Sequence, residues 1–319
     1  MLSKKIALIG VLALSLTVAT VGCSKKTETN QTNQEKTTED TTSASKKEDN
    51  KQEKNQKGYA KPESIITAKE LKDLKEAVII DLRDGKLPGG YIPGAVKIKR
   101  DDIMTEVNGV SKMMVNREKI EEVLSKAGIK NDDTVVIYDA DNGLWASRLW
   151  WTMKVYGHEN VKILEGGVDA WKKAGFETKA LSDEKEATQY KAQEPNKDYV
   201  ADLDFIKKNS DNKNVIPLDS RSEKEVKDGS IPKSVWIEWT QVLNEDGTFK
   251  SAEELEKLYG EKGITKDKEA ILPFCQSGVK SAHTVFVLRE LLGYENVKNY
   301  DGSWAEYEKS GLEVSKPLD

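Results

Sequence analysis

The chain has 319 residues, 37% of them hydrophobic and 33% charged, which is enough for two ordinary domains once targeting and linker segments are set aside. Its formal net charge of −5 is spread as interleaved Lys and Glu, which argues against both the basic stripe of a nucleic-acid binder and a polyacidic tail. The two cysteines, Cys23 and Cys275, lie in such different surroundings that a disulfide framework is a poor account of either.

Residues 1–22 open with the basic pair Lys4 and Lys5, continue with an apolar run over 6–18 and end in small residues up to Gly22. This is the layout of a secretory signal peptide, and its apolar run is too short to span a bilayer comfortably, so cleavage is expected. Val21-Gly22-Cys23-Ser24 resembles the bacterial lipobox, which implies lipidation of Cys23 as the first residue of the mature protein. Thr20 departs from the Leu or Val usual three residues before that cysteine. Residues 23–58 are dominated by Lys, Glu, Thr, Asn, Gln and Ser and cannot bury enough surface to offset their ordering entropy. They read as a disordered tether that holds the folded part away from the outer face of a bacterial cell membrane.

Two stretches about 136 residues apart then read alike. Val78-Ile79-Ile80-Asp81-Leu82-Arg83 parallels Val215-Ile216-Pro217-Leu218-Asp219-Ser220-Arg221. Thr134-Val135-Val136-Ile137-Tyr138-Asp139 parallels Ala270-Ile271-Leu272-Pro273-Phe274-Cys275, which sets Asp139 against Cys275. Tyr156-Gly157-His158-Glu159-Asn160-Val161-Lys162 parallels Leu292-Gly293-Tyr294-Glu295-Asn296-Val297-Lys298, and Gly166 parallels Gly302. In each copy, short apolar runs suited to buried parallel strands alternate with amphipathic segments such as 117–127 and 251–262. The pattern predicts an α/β fold class with domains over 59–180 and 198–319, joined by a polar linker over 181–197. The copies are too long for solenoid repeats, so duplicated globular domains are expected.

Cys275 ends a predicted strand and opens Cys275-Gln276-Ser277-Gly278-Val279-Lys280-Ser281, after which 282–292 reads as a helix. A loop that wraps into a helix N-terminus points several backbone N–H groups at one spot, which favours a thiolate and can hold an anion. Gly278 permits the tight turn and Lys280 adds a positive charge. The two histidines, His158 and His283, are assigned surface or packing roles, and no cluster has metal-ligand spacing. Trp150, Trp151, Trp171 and Trp304 read as core, with Trp236 and Trp239 near the active face.

Asp81-Leu82-Arg83 with Gly90-Tyr91-Ile92-Pro93-Gly94-Ala95, together with the Cys275 loop, resembles the signature segments of rhodanese domains. The resemblance covers 59–319 and implies two tandem rhodanese-like domains, each a mainly parallel sheet flanked by helices. It is similar to the tandem thiosulfate and mercaptopyruvate sulfurtransferases, in which one copy is inactive. Here Asp139 stands where the first nucleophile would be, so the first domain is expected to be a scaffold. The resemblance implies double displacement without a cofactor, in which Cys275 takes sulfur from a small anionic donor as a persulfide and passes it to a thiol or cyanide. The amides from Gln276 through Ser277, Gly278, Val279 and Lys280 to Ser281 would cradle the donor. Trp145 matches an aromatic position that reaches the family's active site from the first domain, and Asp219 with Arg221 would form a charge pair at the base of the loop. Gly229-Ser230-Ile231-Pro232-Lys233-Ser234 and Glu225 depart from the family pattern, Glu225 standing where thiosulfate-type enzymes often carry arginine. The expected protein is a monomer without nucleic-acid partners, tied to the membrane through Cys23.

Two rivals remain at the level of sequence. A phosphatase-like enzyme would need an arginine within the cysteine loop, and this loop has none. A non-catalytic persulfide or anion-binding lipoprotein would keep the same loop without turnover.

Overall fold

The structure, a computed structural model, describes residues 57–85 and 89–316, so the signal segment, Cys23 and all but the last two residues of the expected tether lie outside the described residues. The first repeat runs β1 (Ile65–Ile66), α1 (Ala68–Asp73), β2 (Val78–Asp81), β3 (Ala95–Lys97), β4 (Met104–Val107), β5 (Val110–Met114), α2 (Arg117–Lys126), β6 (Val135–Tyr138), α3 (Leu144–Val155), β7 (Val161–Leu164) and α4 (Gly167–Lys173). The second runs β8 (Val200–Ala201), α5 (Leu203–Lys208), β9 (Val215–Asp219), α6 (Glu223–Val226), β10 (Val235–Trp236), α7 (Ala252–Gly260), β11 (Ala270–Phe274), α8 (Val279–Phe286), β12 (Asn299–Tyr300) and α9 (Ser303–Tyr307). Helices flank both mainly parallel sheets, as the alternation of apolar runs and amphipathic segments predicts.

The first sheet has the order β1-β7-β6-β2-β3, all parallel. In the second, β10-β9-β11 and β12-β8 are joined through a parallel bridge between Ile271 and Val297, which reproduces the same order. Strands such as Val135–Tyr138 and Ala270–Phe274 are buried at every position, which explains why they read as continuous apolar runs and not as alternating ones. The two copies pack through α3 against α8, and their shared apolar core runs from Ile80 and Trp150 to Phe286 and Leu288.

The helix after the Cys275 loop starts earlier than the sequence predicts, at Val279, and its continuation Val287–Leu291 is a π turn. That turn has a structural reason. From the aligned strand ends, the left-handed glycine that caps the next helix comes four residues after Asp139, at Gly143, but three after Cys275, at Gly278. The first loop is thus one residue longer, and the π turn in the second copy restores the register before Gly157 and Gly293 align again.

Segments at the edges of the copies are tied down. The polar stretch 181–197 has no regular secondary structure but lies along the first repeat, with Thr188 N–H donating to Ser125 O, Gln193 N–H to Tyr156 O and Tyr190 stacked on His158. The tether prediction is too long at its end. Lys57 Nζ pairs with Glu165 at 2.9 Å, and the Lys57 carbonyl accepts the Ala252 N–H at the start of α7, so Lys57 and Gly58 belong to the folded part. No helix among the described residues is long and apolar enough to cross a membrane.

Candidate active site

Cys275 follows β11 directly, and its side chain is 1% exposed. Its backbone N–H donates to Ser303 Oγ at 3.1 Å, and Ser303 Oγ donates to Tyr300 O at 2.8 Å. Ser303 holds φ 52°, a left-handed backbone that a residue with a Cβ rarely adopts and that here aims its hydroxyl at the loop. The loop carbonyls are fixed from the same side, Cys275 O by Trp304 N–H and Gln276 O by Ala305 N–H. Toward the sulfur point the Ser277 N–H, 3.4 Å from Sγ, and the Ser281 hydroxyl, 3.7 Å from it.

Gly278 then turns the chain into α8 with φ 78°. A Cβ at this position would lie 2.3 Å from Asp301 Oδ1 and 2.9 Å from Arg148 Nη1, so glycine is required by both conformation and space. The N–H groups of Gly278, Val279, Lys280 and Ser281 open α8 and have no intrahelical acceptor, which leaves them to face the sulfur pocket or solvent. Gln276 is exposed beside them.

The first repeat shows what such a ring of amides binds. Asp139 Oδ1 accepts the N–H groups of Asp141 and Gly143, and Oδ2 those of Trp145 and Ala146, all between 2.7 and 2.9 Å. Burial raises the Asp139 carboxyl above its ordinary value and outweighs the amide hydrogen bonds that pull it down. Counted from the capping glycine, Gly143, Trp145 and Ala146 correspond to Gly278, Lys280 and Ser281. The first loop therefore holds its own carboxyl group where the second loop holds a sulfur atom.

Trp145 lies on this first loop, and its indole is stacked under the Arg100 guanidinium at 4.4 Å. Its position corresponds to Lys280, and the partners named here lie in the first repeat and not on the Cys275 loop.

Asp219 and Arg221 form the expected pair, with Nη2 2.6 Å from Oδ2 and both side chains fully buried. Arg221 also donates to Gly229 O and stacks on Trp304 at 4.5 Å, while Ser230 Oγ donates to Asp219 Oδ2. The pair thereby braces the Trp304 wall of the loop, and Ser230 supplies a hydroxyl donor to it. Lys280 Nζ lies 2.5 Å from Glu225 Oε2, and Glu225 also accepts from Ser222 N–H and Oγ. Burial raises the Glu225 carboxyl, but the Lys280 and Ser222 hydrogen bonds outweigh it and hold the group below its ordinary value.

Sequence reasoning did not single out Ser303, Asn299, Asp301 or Arg148. Arg148 carried a signal: it is a cation between Leu144-Trp145-Ala146 and Leu149-Trp150-Trp151, and a buried cation needs a partner. His283 is fully buried between Trp239 and Phe249, each ring 5.2 Å away, in a packing role. Trp236 donates its indole N–H to Arg221 O. A groove of about 740 Å³ on the far side of the second sheet, bordered by Ile206, Pro217, Leu272 and Tyr307, holds none of these residues.

The sequence profile of the rhodanese-like domain matches residues 67–174 and again 202–310. A relative from Saccharopolyspora erythraea that carries a thiosulfate sulfurtransferase name is 43% identical over 246 residues, covering 72% of this chain and 85% of its own length. The sulfur carrier protein TtuD of Thermus thermophilus is 35% identical, over 78% of this chain and 95% of its own. Among solved structures, SseA of Escherichia coli, described as a 3-mercaptopyruvate sulfurtransferase, superposes with a TM-score of 0.68 at 27% identity, over 76% of this chain and 98% of its own. Both repeats are matched by the profile, and the relatives are spanned over most of their length, so the chain belongs to the rhodanese-like family.

Proposed function

We propose that the protein is a sulfurtransferase that carries sulfane sulfur on Cys275. The observation that supports this most directly is the internal comparison of the two loops. The first loop surrounds a carboxyl group with four N–H groups, and in the second the Ser277 N–H and the Ser281 hydroxyl face the Cys275 sulfur where the opening N–H groups of α8 have no intrahelical acceptor. An anion at the tip of Cys275, such as a persulfide, is the ligand that such a ring stabilises.

With thiosulfate as donor, the Cys275 thiolate attacks the outer sulfur, the S–S bond of thiosulfate breaks, and sulfite leaves with the electron pair. Cyanide or a thiolate then attacks the outer sulfur of the persulfide, and Cys275 departs as thiolate. With 3-mercaptopyruvate the broken bond is C–S, and pyruvate forms once its carbon takes a proton. Every step is two-electron displacement at sulfur, carried by the loop amides and the Ser277 and Ser281 contacts.

The charge around the loop bears on the donor. Lys280 is paired with Glu225, Arg221 with Asp219 and Arg148 with Asp301, so three cations around the loop are each matched by a carboxylate. This supports a singly charged donor such as an organic persulfide or 3-mercaptopyruvate over doubly charged thiosulfate.

The test is direct. The chain from Lys57 onward is incubated with each donor, and intact mass and transfer to cyanide are recorded. A gain of about 32 Da that is absent in Cys275→Ser, with turnover lost in that near-isosteric variant, is expected. If no donor adds sulfur to Cys275, the reading fails and a non-catalytic anion-binding role takes its place.

The amino-terminal features support a second part of the reading, that the protein is exported and anchored by lipid on Cys23. The support is the basic-apolar-small layout of 1–22 and the Val21-Gly22-Cys23-Ser24 segment.

A further inference from the structure

Arg148 belongs to the repeat without a nucleophile, yet it is fully buried and reaches into the other one. Its Nη1 donates to Gly278 O at 3.1 Å and, by a short ion pair, to Asp301 Oδ1. Its Nη2 donates to Lys112 O at 3.0 Å, and the guanidinium lies 4.8 Å over the Trp151 ring one turn along α3. Asp301 uses its other oxygen, Oδ2, to accept the Met114 N–H at the end of β5. The Gly278 carbonyl is held from a second direction by Asn299 Nδ2 at 3.1 Å and accepts the Ala282 N–H within α8. Three donors from both repeats thus converge on one carbonyl, in the residue whose left-handed backbone sets the direction of the loop amides.

The pseudo-symmetry of the fold makes this asymmetric. Arg148 comes five residues after the capping glycine Gly143, and the residue five after Gly278 is His283. His283 faces back across the seam toward the Asn142 backbone of the first loop, and burial holds it down to about 4, so at neutral pH it carries no charge. Each repeat therefore reaches into its neighbour's loop from the same helical position, but the cation is directed only at the loop that bears the cysteine.

We propose that Arg148 is a positioning residue for Cys275: from the first repeat it clamps the Gly278 carbonyl and holds the amide ring of the catalytic loop in its sulfur-binding conformation. The first repeat is then part of the catalytic apparatus and not only a scaffold. A guanidinium donor on this carbonyl also polarises the adjoining peptide within a buried seam. The proposal rests on the sulfurtransferase reading above.

The test uses the protein from Lys57 onward with thiosulfate and cyanide, and with 3-mercaptopyruvate if that is the better donor. Arg148→Met is combined with Asp301→Asn so that no buried charge is left alone. The expected result is a fall in kcat and in the single-turnover rate of sulfur loading of roughly tenfold to a hundredfold, with KM and the unfolding midpoint near wild type. Arg148→Lys, which restores one charged donor, is expected to recover part of the rate. If the double variant does not fold, Arg148→Gln combined with Asp301→Asn, which keeps a hydrogen bond between the two side chains without either charge, gives the same reading. A kcat within twofold of wild type in the folded uncharged variant overturns the proposal. A wild-type protein that takes up no sulfur from either donor overturns instead the function on which it rests.

Discussion

His283 shows how one buried side chain sets a pH limit on the whole fold. Its ring stacks on Phe249 and meets Trp239 edge-on, and burial lowers its pKa from 6.5 to about 4, with the Asn142 backbone opposing the shift weakly. Below the unfolded value the unfolded chain binds a proton that the folded chain refuses, so the stability associated with a neutral His283 is complete above about 6.5 and declines as pH falls toward 4. The slope from this one group is at most about 1.4 kcal/mol per pH unit. His283→Phe should flatten the acid limb of the melting temperature between pH 6.5 and 4, and an unchanged limb would show that other groups control it. Asp139 is a different case of a buried titratable group. Its carboxyl group fills the ring of amides from within, at the place where the second loop carries Cys275.

Between elements, the informative contact is the one from α6 to the start of α8. Glu225 is the third residue of α6 and completes a capping box with Ser222, and the same carboxylate neutralises Lys280. Gln keeps the capping hydrogen bonds and removes the charge, so Glu225→Gln is expected to leave the fold intact and free Lys280 for a doubly charged donor. A gain of about 1 kcal/mol, roughly fivefold in KM for thiosulfate with little change for 3-mercaptopyruvate, is expected from steady-state kinetics. Equal effects on both donors would mean that the pair does not discriminate charge. The π turn at Val287–Leu291 is a second feature at this level: it absorbs the one-residue difference between the loops and lets both copies keep the same strand order.

Across the whole molecule, the two repeats share a core through α3 and α8, and the described chain begins pinned to both of them. Lys57 pairs with Glu165 of the first repeat and caps α7 of the second, so any tether must end before this point. The membrane reading is tested on the full-length protein expressed in a bacterium. Labelled palmitate is expected to enter wild type and not Cys23→Ser, and the variant should leave the membrane fraction. Equal labelling of both would remove Cys23 as the anchor.

The sequence by itself determined the fold class, the duplication, the placing of Asp139 opposite Cys275 and the loop around Cys275, because each is written locally. Fully apolar strands such as Val135–Tyr138, a glycine where the chain must turn left-handed, and a nucleophile at a strand end are visible one segment at a time. The helix over 117–127 was legible for the same reason, down to its start at Arg117. What the sequence could not show is who meets whom across the seam. Aligned at a constant spacing, Trp145 falls opposite Ser281, but the longer first loop sets it opposite Lys280 and under Arg100. Asp301, Asn299 and Ser303 lie in a short segment downstream of α8 and come to the loop only because β12 joins the sheet beside β8 and α9 begins there. Arg148 is 130 residues from the carbonyl that it holds. Hydrogen bonds of such separation are set by how two sheets and two helices pack, and no periodicity in the chain encodes them.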